Sequence, residues 1–236
     1  MTVSGGPKTV GMVLYNGCTL LDFAGATQIF AFPGGSFSVK WLAATLDPIL
    51  TTEDVKVVPH ATFDSTPEVD ILFVPGGGPA VATVMNDPAH VDYVRSAGSK
   101  ALYAGSVCTG AFIVAAAGLF DGHEATTYWS QLAELRLFPN VRVPDGYPRY
   151  VLSGNRFSGG GVSSSIDLAL ELVQRINGAG AAQAHQLCNQ YAPDPPVRAG
   201  DPSQAPAALV EMVSAPMAPF GELMRQATLR AIGKLT

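Results

Sequence analysis

The chain of 236 residues is poor in charged residues and in the side chains that usually bind metals. Only 14% of its residues are charged, and it contains four histidines and three cysteines, which are Cys18, Cys108 and Cys188. The cysteines lie far apart and are odd in number, so the sequence predicts neither a disulfide framework nor a metal site. We therefore expect no metal, no other cofactor, and a reducing compartment such as the cytoplasm.

The sequence also lacks the segments that are typical of membrane and nucleic-acid-binding proteins. The net charge is −5 and no basic patch stands out, which argues against a nucleic-acid partner. No apolar run approaches the roughly 20 residues that a membrane-spanning helix needs. Residues 1–8 carry no signal-peptide core and are expected to be flexible.

Hydrophobic residues make up 47% of the chain, and buried-type strands alternate with helical stretches. This alternation predicts an α/β fold with a mostly parallel central sheet and helices on both faces. We expect one domain over residues 1–236, with a C-terminal extension from about 193. Strands are predicted at 9–15, 37–44, 55–58 and 70–74, just before 108, near 125–127 and around 151 and 157; helices are predicted at 20–30, after 78 with a break near 87, from 110, from 129, from 163, near 181–191 and at 220–235.

The segment Ala104-Gly105-Ser106-Val107-Cys108-Thr109-Gly110-Ala111 is the most informative part of the chain. An apolar run precedes it and a helical run follows, so Cys108 is expected at a sharp turn between strand and helix. Free N–H groups and the helix dipole at such a turn stabilise a thiolate, and cysteines so placed can have pKa values of roughly 3.5–7.5. The pattern predicts a nucleophile with a lowered pKa rather than a buried structural thiol.

Three loops should meet beside this thiol, because ligands of open parallel sheets bind outside the carboxyl ends of the strands. Residues 16–22, residues 75–79 and the turn at Cys108 each follow such a strand end. The glycines in the second loop would expose backbone N–H groups, and that of Gly77, beside the N–H of Thr109, is a candidate donor to a developing negative charge. A tight turn without a ligand is the alternative reading of these glycines.

Asp22 is the second candidate catalytic residue. It lies among apolar neighbours at the start of the first predicted helix, where a carboxyl group is often a simple helix cap. A carboxyl group in apolar surroundings can also carry a proton, because desolvation raises its pKa. Cys18 is close in sequence and lacks the strand-turn-helix pattern, so we interpret it as a bystander.

The histidines are poorly placed to pair with the thiol. His60 follows a strand, His90 lies on a broken surface helix, His123 is in a turn and His185 is in a late helix, so each is expected to be structural or solvated. Tyr128 follows a predicted strand and either faces the cleft or packs as an ordinary aromatic residue.

Four motifs resemble, in the same order, those of the ThiJ/PfpI superfamily, and in particular its isocyanide hydratases. They are Val74-Pro75-Gly76-Gly77-Gly78, Ser106-Val107-Cys108-Thr109-Gly110-Ala111, Ala125-Thr126-Thr127-Tyr128-Trp129 and Ser158-Gly159-Gly160-Gly161-Val162-Ser163. The segment around Asp22 and the tail from Gln190 to Pro196 resemble the isocyanide hydratases more specifically than the superfamily as a whole. The resemblance extends from about Val10 to Val213. It departs at Tyr128, where close relatives often have a histidine, and this puts pocket shape and substrate preference in doubt.

The resemblance implies a flavodoxin-like sandwich, a homodimer and the hydration of an isocyanide to an N-substituted formamide. By position, Cys108 is the nucleophile, Asp22 the acid and base, and Thr109 contributes its hydroxyl and N–H. The same motifs place Gly77, Gly78, Tyr128 and Val162 around the substrate. Hydration suits a site without a catalytic histidine, because the nitrogen never departs as an amine that needs a proton.

The sequence leaves three other readings open. A glyoxalase- or deglycase-like enzyme of the same superfamily would be expected to pair its cysteine with a glutamate, and often with a histidine. A ligand sensor, such as those of transcriptional regulators, would bind without turnover, and a redox sensor would only be oxidised at Cys108.

Overall fold

The computed structural model describes residues 6–32 and 35–233, and within them the chain forms a central sheet between two layers of helices. The strands are β1 (Lys8–Val13), β2 (Phe37–Ala43), β3 (Ile49–Leu50), β4 (Lys56–Val57), β5 (Ala61–Thr62), β6 (Ile71–Val74), β7 (Tyr103–Val107), β8 (Tyr150–Ser153) and β9 (Arg156–Gly159). Seven of them form the main sheet in the order β5-β2-β1-β6-β7-β9-β8, and only the β8–β9 pair is antiparallel. The mostly parallel sheet predicted from the sequence is confirmed.

The helices cover both faces of this sheet. They are α1 (Leu20–Phe30), α2 (Ala80–Val84), α3 (Pro88–Lys100), α4 (Gly110–Ala116), α5 (Leu132–Leu135), α6 (Ser164–Asn177), α7 (Ala179–Cys188), α8 (Ala207–Ser214) and α9 (Ala218–Ala231). Helices α1, α6 and α7 pack together in one layer, and α2, α3, α4 and α9 pack in the other. Strands β6 and β7 lie between the layers and are almost wholly buried, which explains the continuous apolar sequence of β6 and the small residues of β7.

Several predicted elements differ from the structure. Residues 125–127 form no strand, and the chain there makes only an isolated bridge between Glu124 and Arg142. The predicted strand at 55–58 shrinks to β4, which pairs with β3 outside the main sheet. The helix predicted from Trp129 is a 3-10 turn followed by the short α5. The sequence pattern did not predict strands β3 and β5 or helix α8.

The two ends of the chain differ in how closely they pack against the rest of the fold. Residues 1–5 of the N-terminal segment expected to be flexible lie outside the described residues, and Lys8 is already part of β1. In the C-terminal extension, α9 packs against α2 and α5 and buries Met224, whereas α8 has no buried residue. Among the described residues, no helix has the length and apolar character needed to cross a membrane.

Candidate active site

The sheet order brings together the three loops that the sequence selects. Strands β1, β6 and β7 are neighbours and run parallel, so their carboxyl ends open at the same edge. Backbone bonds join the loops: the N–H of Thr19 donates to the carbonyl of Gly76 at 2.8 Å, and Cys18 pairs with Gly77 in an isolated bridge. The predicted convergence at this edge is therefore what the structure shows.

Cys108 lies at the junction of β7 and α4 with a φ of +56°. Such a value is uncommon for a residue other than glycine and is maintained only where the surroundings fix it. Two hydrogen bonds do so here. The N–H of Cys108 donates to the carbonyl of Gly159 at 2.9 Å, and the hydroxyl of Thr127 donates to the carbonyl of Cys108 at 2.9 Å. Cys108 thus lies at the sharp turn between strand and helix that the sequence pattern predicts, and its backbone there is left-handed.

Gly76 lets the glycine loop approach this turn closely. A Cβ atom at Gly76 would lie 2.6 Å from the backbone nitrogen of Thr109 and 2.7 Å from the Cβ of Cys108. At Gly77 it would lie 2.3 Å from the carbonyl oxygen of Gly17. Each position therefore requires glycine for reasons of space.

The predicted role of Gly77 as a donor to the substrate does not fit this geometry. Its N–H donates to the hydroxyl oxygen of Thr109 at 3.0 Å, and that hydroxyl donates back to the carbonyl of Gly77 at 2.8 Å. The N–H of Gly78 points to the carbonyl of Gly17 at 3.4 Å. These N–H groups fix the loop against Thr109 and Gly17, so the alternative reading as a tight turn describes both glycines better.

Asp22 is fully buried on the first turn of α1, and it does not cap the helix. Its Oδ2 accepts a 2.8 Å hydrogen bond from the N–H of Gly76 in the glycine loop. Its Oδ1 has no hydrogen-bond partner among the described residues. One carboxyl oxygen is thus fixed and the other is free to exchange a proton, which excludes the simple cap and favours the acid–base interpretation.

Burial raises the pKa of Asp22 to about 8, against an opposing hydrogen bond from Gly76. Burial also raises the pKa of the Cys108 thiol well above its ordinary value, and the negative charge of Asp22 adds to this, while the N–H of Thr109 acts in the opposite direction. The lowered thiol pKa expected from the helix start is therefore not what this environment produces. At neutral pH the pair holds its protons until a reaction moves them.

Two further groups lie close to this pair. Cys18 is fully buried with its pKa raised to about 11, chiefly by burial, and the Gly76-Gly77 backbone touches both cysteines, with Gly76 against Cys108 and Gly77 against Cys18. The interpretation of Cys18 as a bystander stays a prediction. Tyr15 was not selected from the sequence, yet its hydroxyl donates to the carbonyl of Pro75 at 2.8 Å and anchors the start of the glycine loop.

A cavity of about 1360 Å³ opens beside the turn. Its wall next to Cys108 includes Thr127, Tyr128 and Val162, and its opposite wall is formed by the segment after Tyr191 and by α8. Tyr128 faces this cavity and packs near Gly161, where an added Cβ would lie 3.4 Å from its ring. Cys108 itself is 7% exposed and does not line the cavity, although its carbonyl is bonded to Thr127 of the wall. The structure thus places Tyr128 and Val162 at the cavity, which the glycine loop does not line.

The four histidines are engaged elsewhere. His60 stacks on Trp41, His90 bonds to Asp87, His123 bonds to Ser153, and the buried His185 bonds to the carbonyl of Ile29. Within residues 6–32 and 35–233, no group of three or more acidic, histidine or cysteine side chains could hold a metal ion.

Comparisons with known proteins show which family the chain belongs to. Isonitrile hydratase from Pseudomonas putida is 36% identical over 227 residues, covering 96% of this chain and 97% of that protein. The transcriptional regulator GbdR from Pseudomonas aeruginosa is 28% identical over 178 residues, covering 73% of this chain and 47% of the regulator. A ThiJ/PfpI family protein from Pseudomonas syringae has a crystal structure with a TM-score of 0.89, at 29% identity and with 97% of both chains covered. A family profile matches residues 8–175, and the chain belongs to the DJ-1/PfpI family.

Proposed function

We propose that this protein hydrates isocyanides to N-substituted formamides through a covalent thioimidate on Cys108. The observation that carries the proposal is the pairing of a thiol at a left-handed turn with a buried carboxyl group that has one free oxygen. The similarity to isonitrile hydratase over almost the full length of both chains supports the choice of substrate.

In the first half of the reaction, the sulfur of Cys108 attacks the terminal carbon of the isocyanide and forms a C–S bond. That carbon gains electron density and takes up a proton, while the thiol loses one. Asp22 transfers the proton, because its Oδ1 is free and its raised pKa lets it both hold and release a proton near neutrality. The product is the thioimidate, with no atom lost from either partner.

In the second half, water attacks the thioimidate carbon and the C–S bond breaks. One proton of the water passes to the nitrogen and the other returns to the thiol, so formamide and free enzyme result. The N–H of Thr109 stabilises the sulfur as it departs with a negative charge. Tyr128 and Val162 border the cavity and would contact the group on the nitrogen.

The histidine positions favour hydration over amide hydrolysis. Cleavage of an amide expels an amine, which a general acid, most often a histidine, must protonate. All four histidines of this chain have partners away from Cys108. In hydration the nitrogen stays in the product, so one carboxyl group suffices for the proton transfers.

The test is incubation with cyclohexyl, benzyl and tert-butyl isocyanides, with formamide followed by mass spectrometry. We expect formamide from the wild type and from Cys188→Ala, whose thiol is exposed, and none from Cys108→Ala. The trapped intermediate should add the intact mass of the isocyanide to the protein. Consumption of methylglyoxal without any formamide would instead indicate a glyoxalase-like enzyme, and saturable binding without turnover would indicate a sensor.

We also propose that two copies associate in the cytoplasm. The side chains of Leu187, Val197 and Met212 are each more than half exposed, and α8 buries none of its apolar residues. Symmetric dimers are the commonest way to cover such surface. The free thiols of the chain suit a reducing compartment. Sedimentation at micromolar concentration should give twice the chain mass of 24.6 kDa, and a monomer would contradict the association.

A further inference from the structure

The peptide group that joins Cys108 to Thr109 is held at its carbonyl end by a side chain that no part of the proposed chemistry uses. The hydroxyl of Thr127 donates to the carbonyl of Cys108 at 2.9 Å, in a bond that is buried. Thr127 is 1% exposed, so water cannot replace this donor. The two bonded residues are 19 positions apart in the sequence, and Thr127 directly precedes Tyr128.

Fixing that carbonyl also fixes the N–H of Thr109. A trans peptide group is planar, so its C=O and N–H point in opposite directions and rotate together. The N–H of Thr109, together with its hydroxyl, acts to lower the pKa of the Cys108 thiol, against the larger effect of burial. A hydrogen bond to the carbonyl also polarises the peptide group and strengthens its N–H as a donor.

The anchor is itself rigid. The N–H of the preceding residue, Thr126, donates to the hydroxyl of the buried Ser158 in β9 at 2.8 Å. The next residue of β9, Gly159, accepts the N–H of Cys108. Strand β9 therefore fixes the peptide groups before and after Cys108. Gly159 bonds directly to the N–H of Cys108, and Ser158 anchors the segment that contains Thr127, which bonds to the carbonyl of Cys108.

We propose that Thr127 is a positioning residue, whose hydroxyl holds the Cys108–Thr109 peptide group so that the N–H of Thr109 faces the sulfur. This inference rests on the proposed role of Cys108 as the nucleophile. Thr127 acts through the peptide group, because its hydroxyl bonds to the carbonyl of Cys108 and not to the sulfur. Without the hydroxyl of Thr127, the carbonyl of Cys108 keeps, among the described residues, only the longer 3.4 Å bond from the N–H of Ala111, so the peptide group is held less firmly and the N–H of Thr109 stabilises the departing thiolate less well.

The experiment compares Thr127→Val, which keeps the shape and removes the hydroxyl, with Thr127→Ser, which keeps the hydroxyl. Thr126→Val is the matched control, because the Thr126 hydroxyl makes no hydrogen bond within the described residues and the N–H bonded to Ser158 remains. For each variant we would measure the pH profile of Cys108 alkylation by iodoacetamide, kcat and KM for cyclohexyl isocyanide, and thermal stability.

In Thr127→Val the alkylation profile should move to higher pH, and the rate at pH 8 should fall about threefold or more. Its kcat should fall by about tenfold or more, while KM changes less than about twofold. Thr127→Ser should recover most of both quantities, and Thr126→Val should match the wild type. An unshifted profile in Thr127→Val, or equal losses in the Val and Ser variants, would overturn the inference. Should Thr127→Val unfold, Thr127→Ala provides the same comparison.

The alkylation profile does not depend on the reaction that the enzyme catalyses. If the wild type hydrates no isocyanide but the profile still moves in Thr127→Val and returns in Thr127→Ser, the proposed function fails and the positioning role stands. If the wild type hydrates isocyanides and the profile does not move, the positioning role fails and the proposed function stands.

Discussion

The carboxyl group of Asp22 accepts a 2.8 Å hydrogen bond from the backbone N–H of Gly76, which lies 54 residues further along the chain. The bond joins the first helix to the loop after β6, and that loop is in contact with Cys108. It uses only one carboxyl oxygen, since Oδ1 has no partner among the described residues. The group is therefore both oriented and available for proton transfer.

Replacing Asp22 by asparagine should separate these two properties. The amide oxygen can still accept the N–H of Gly76, but the side chain can no longer take up or release a proton. Because general acid–base catalysis contributes about 10²–10⁴-fold, isocyanide turnover by Asp22→Asn should fall on that scale. Asp22→Glu keeps the acid but displaces it by a methylene group, and should recover part of the rate. Hydration by Asp22→Asn at the wild-type rate would exclude the catalytic role.

The same substitution should change the pH dependence of stability. An unfolded chain ionises Asp22 near its ordinary pKa of 3.8, whereas the folded protein keeps the proton until about pH 8. The folded state binds the proton more tightly, so this contribution to stability is complete below pH 4 and is lost as the pH rises to 8. Asparagine has no such loss. Asp22→Asn should therefore gain stability relative to the wild type across this range, by about 6 kcal/mol in total.

Urea unfolding at pH 4, 6, 8 and 9 would measure this difference. The gain should grow between pH 4 and 8 and then level off, because above pH 8 both folded and unfolded wild-type chains are ionised at Asp22. A difference that is the same at every pH would mean that Asp22 is ionised throughout, contrary to the effect of its burial.

The alkylation of Cys108 tests the corrected view of its thiol. Since burial raises its pKa, the reaction rate with iodoacetamide should still be rising above pH 8. Removing the nearby negative charge in Asp22→Asn should lower the pKa and speed the reaction by about 3–10-fold at pH 9. Cys188 is exposed and provides a control in the same sample, with a rate that the substitution leaves unchanged. If the alkylation rate of Cys108 were already constant at pH 6, the thiol would have the lowered pKa that the sequence pattern predicts.

The sequence predicts the elements of this site better than their contacts. The turn at Cys108 could be predicted because strand, small residues and helix follow one another locally. The burial that raises its pKa could not, since it depends on α1 and β9 packing around the turn. In the same way, the run of glycines indicates a close approach. Its partner is Thr109, 32 residues from Gly77, and only the fold brings the two together.

Other parts of the site lay outside what the sequence pattern can show. In the motif at residues 125–129 the sequence draws attention to Tyr128. The neighbouring sequence does not indicate that the hydroxyl of Thr127 reaches the carbonyl of Cys108. The predicted strand at 125–127 fails because Thr126 donates its N–H to the side chain of Ser158 instead of joining a ladder. Such bonds between distant side chains and backbone groups carry no periodic signal.

Gly76 offers the sharpest test of the packing that holds the site together. In Gly76→Ala the new methyl group would lie 2.6 Å from the nitrogen of Thr109, a backbone atom that cannot turn aside. We expect a loss of about 1–3 kcal/mol in stability, typical of overpacking, together with a loss of turnover as Cys108 is displaced. Gly180→Ala is the matched control, because Gly180 lies in α7 and nothing is within 4 Å of its added methyl group.

Gly180→Ala should be stabilising by about 0.5–1 kcal/mol, as glycine is a poor residue inside a helix, and should leave turnover unchanged. Opposite signs for the same chemical change would show that the space at the turn matters, and not the loss of a glycine as such. Full activity and stability in Gly76→Ala would mean that the loop moves freely away from Thr109. In that case the hydrogen bond from Gly76 could not orient Asp22.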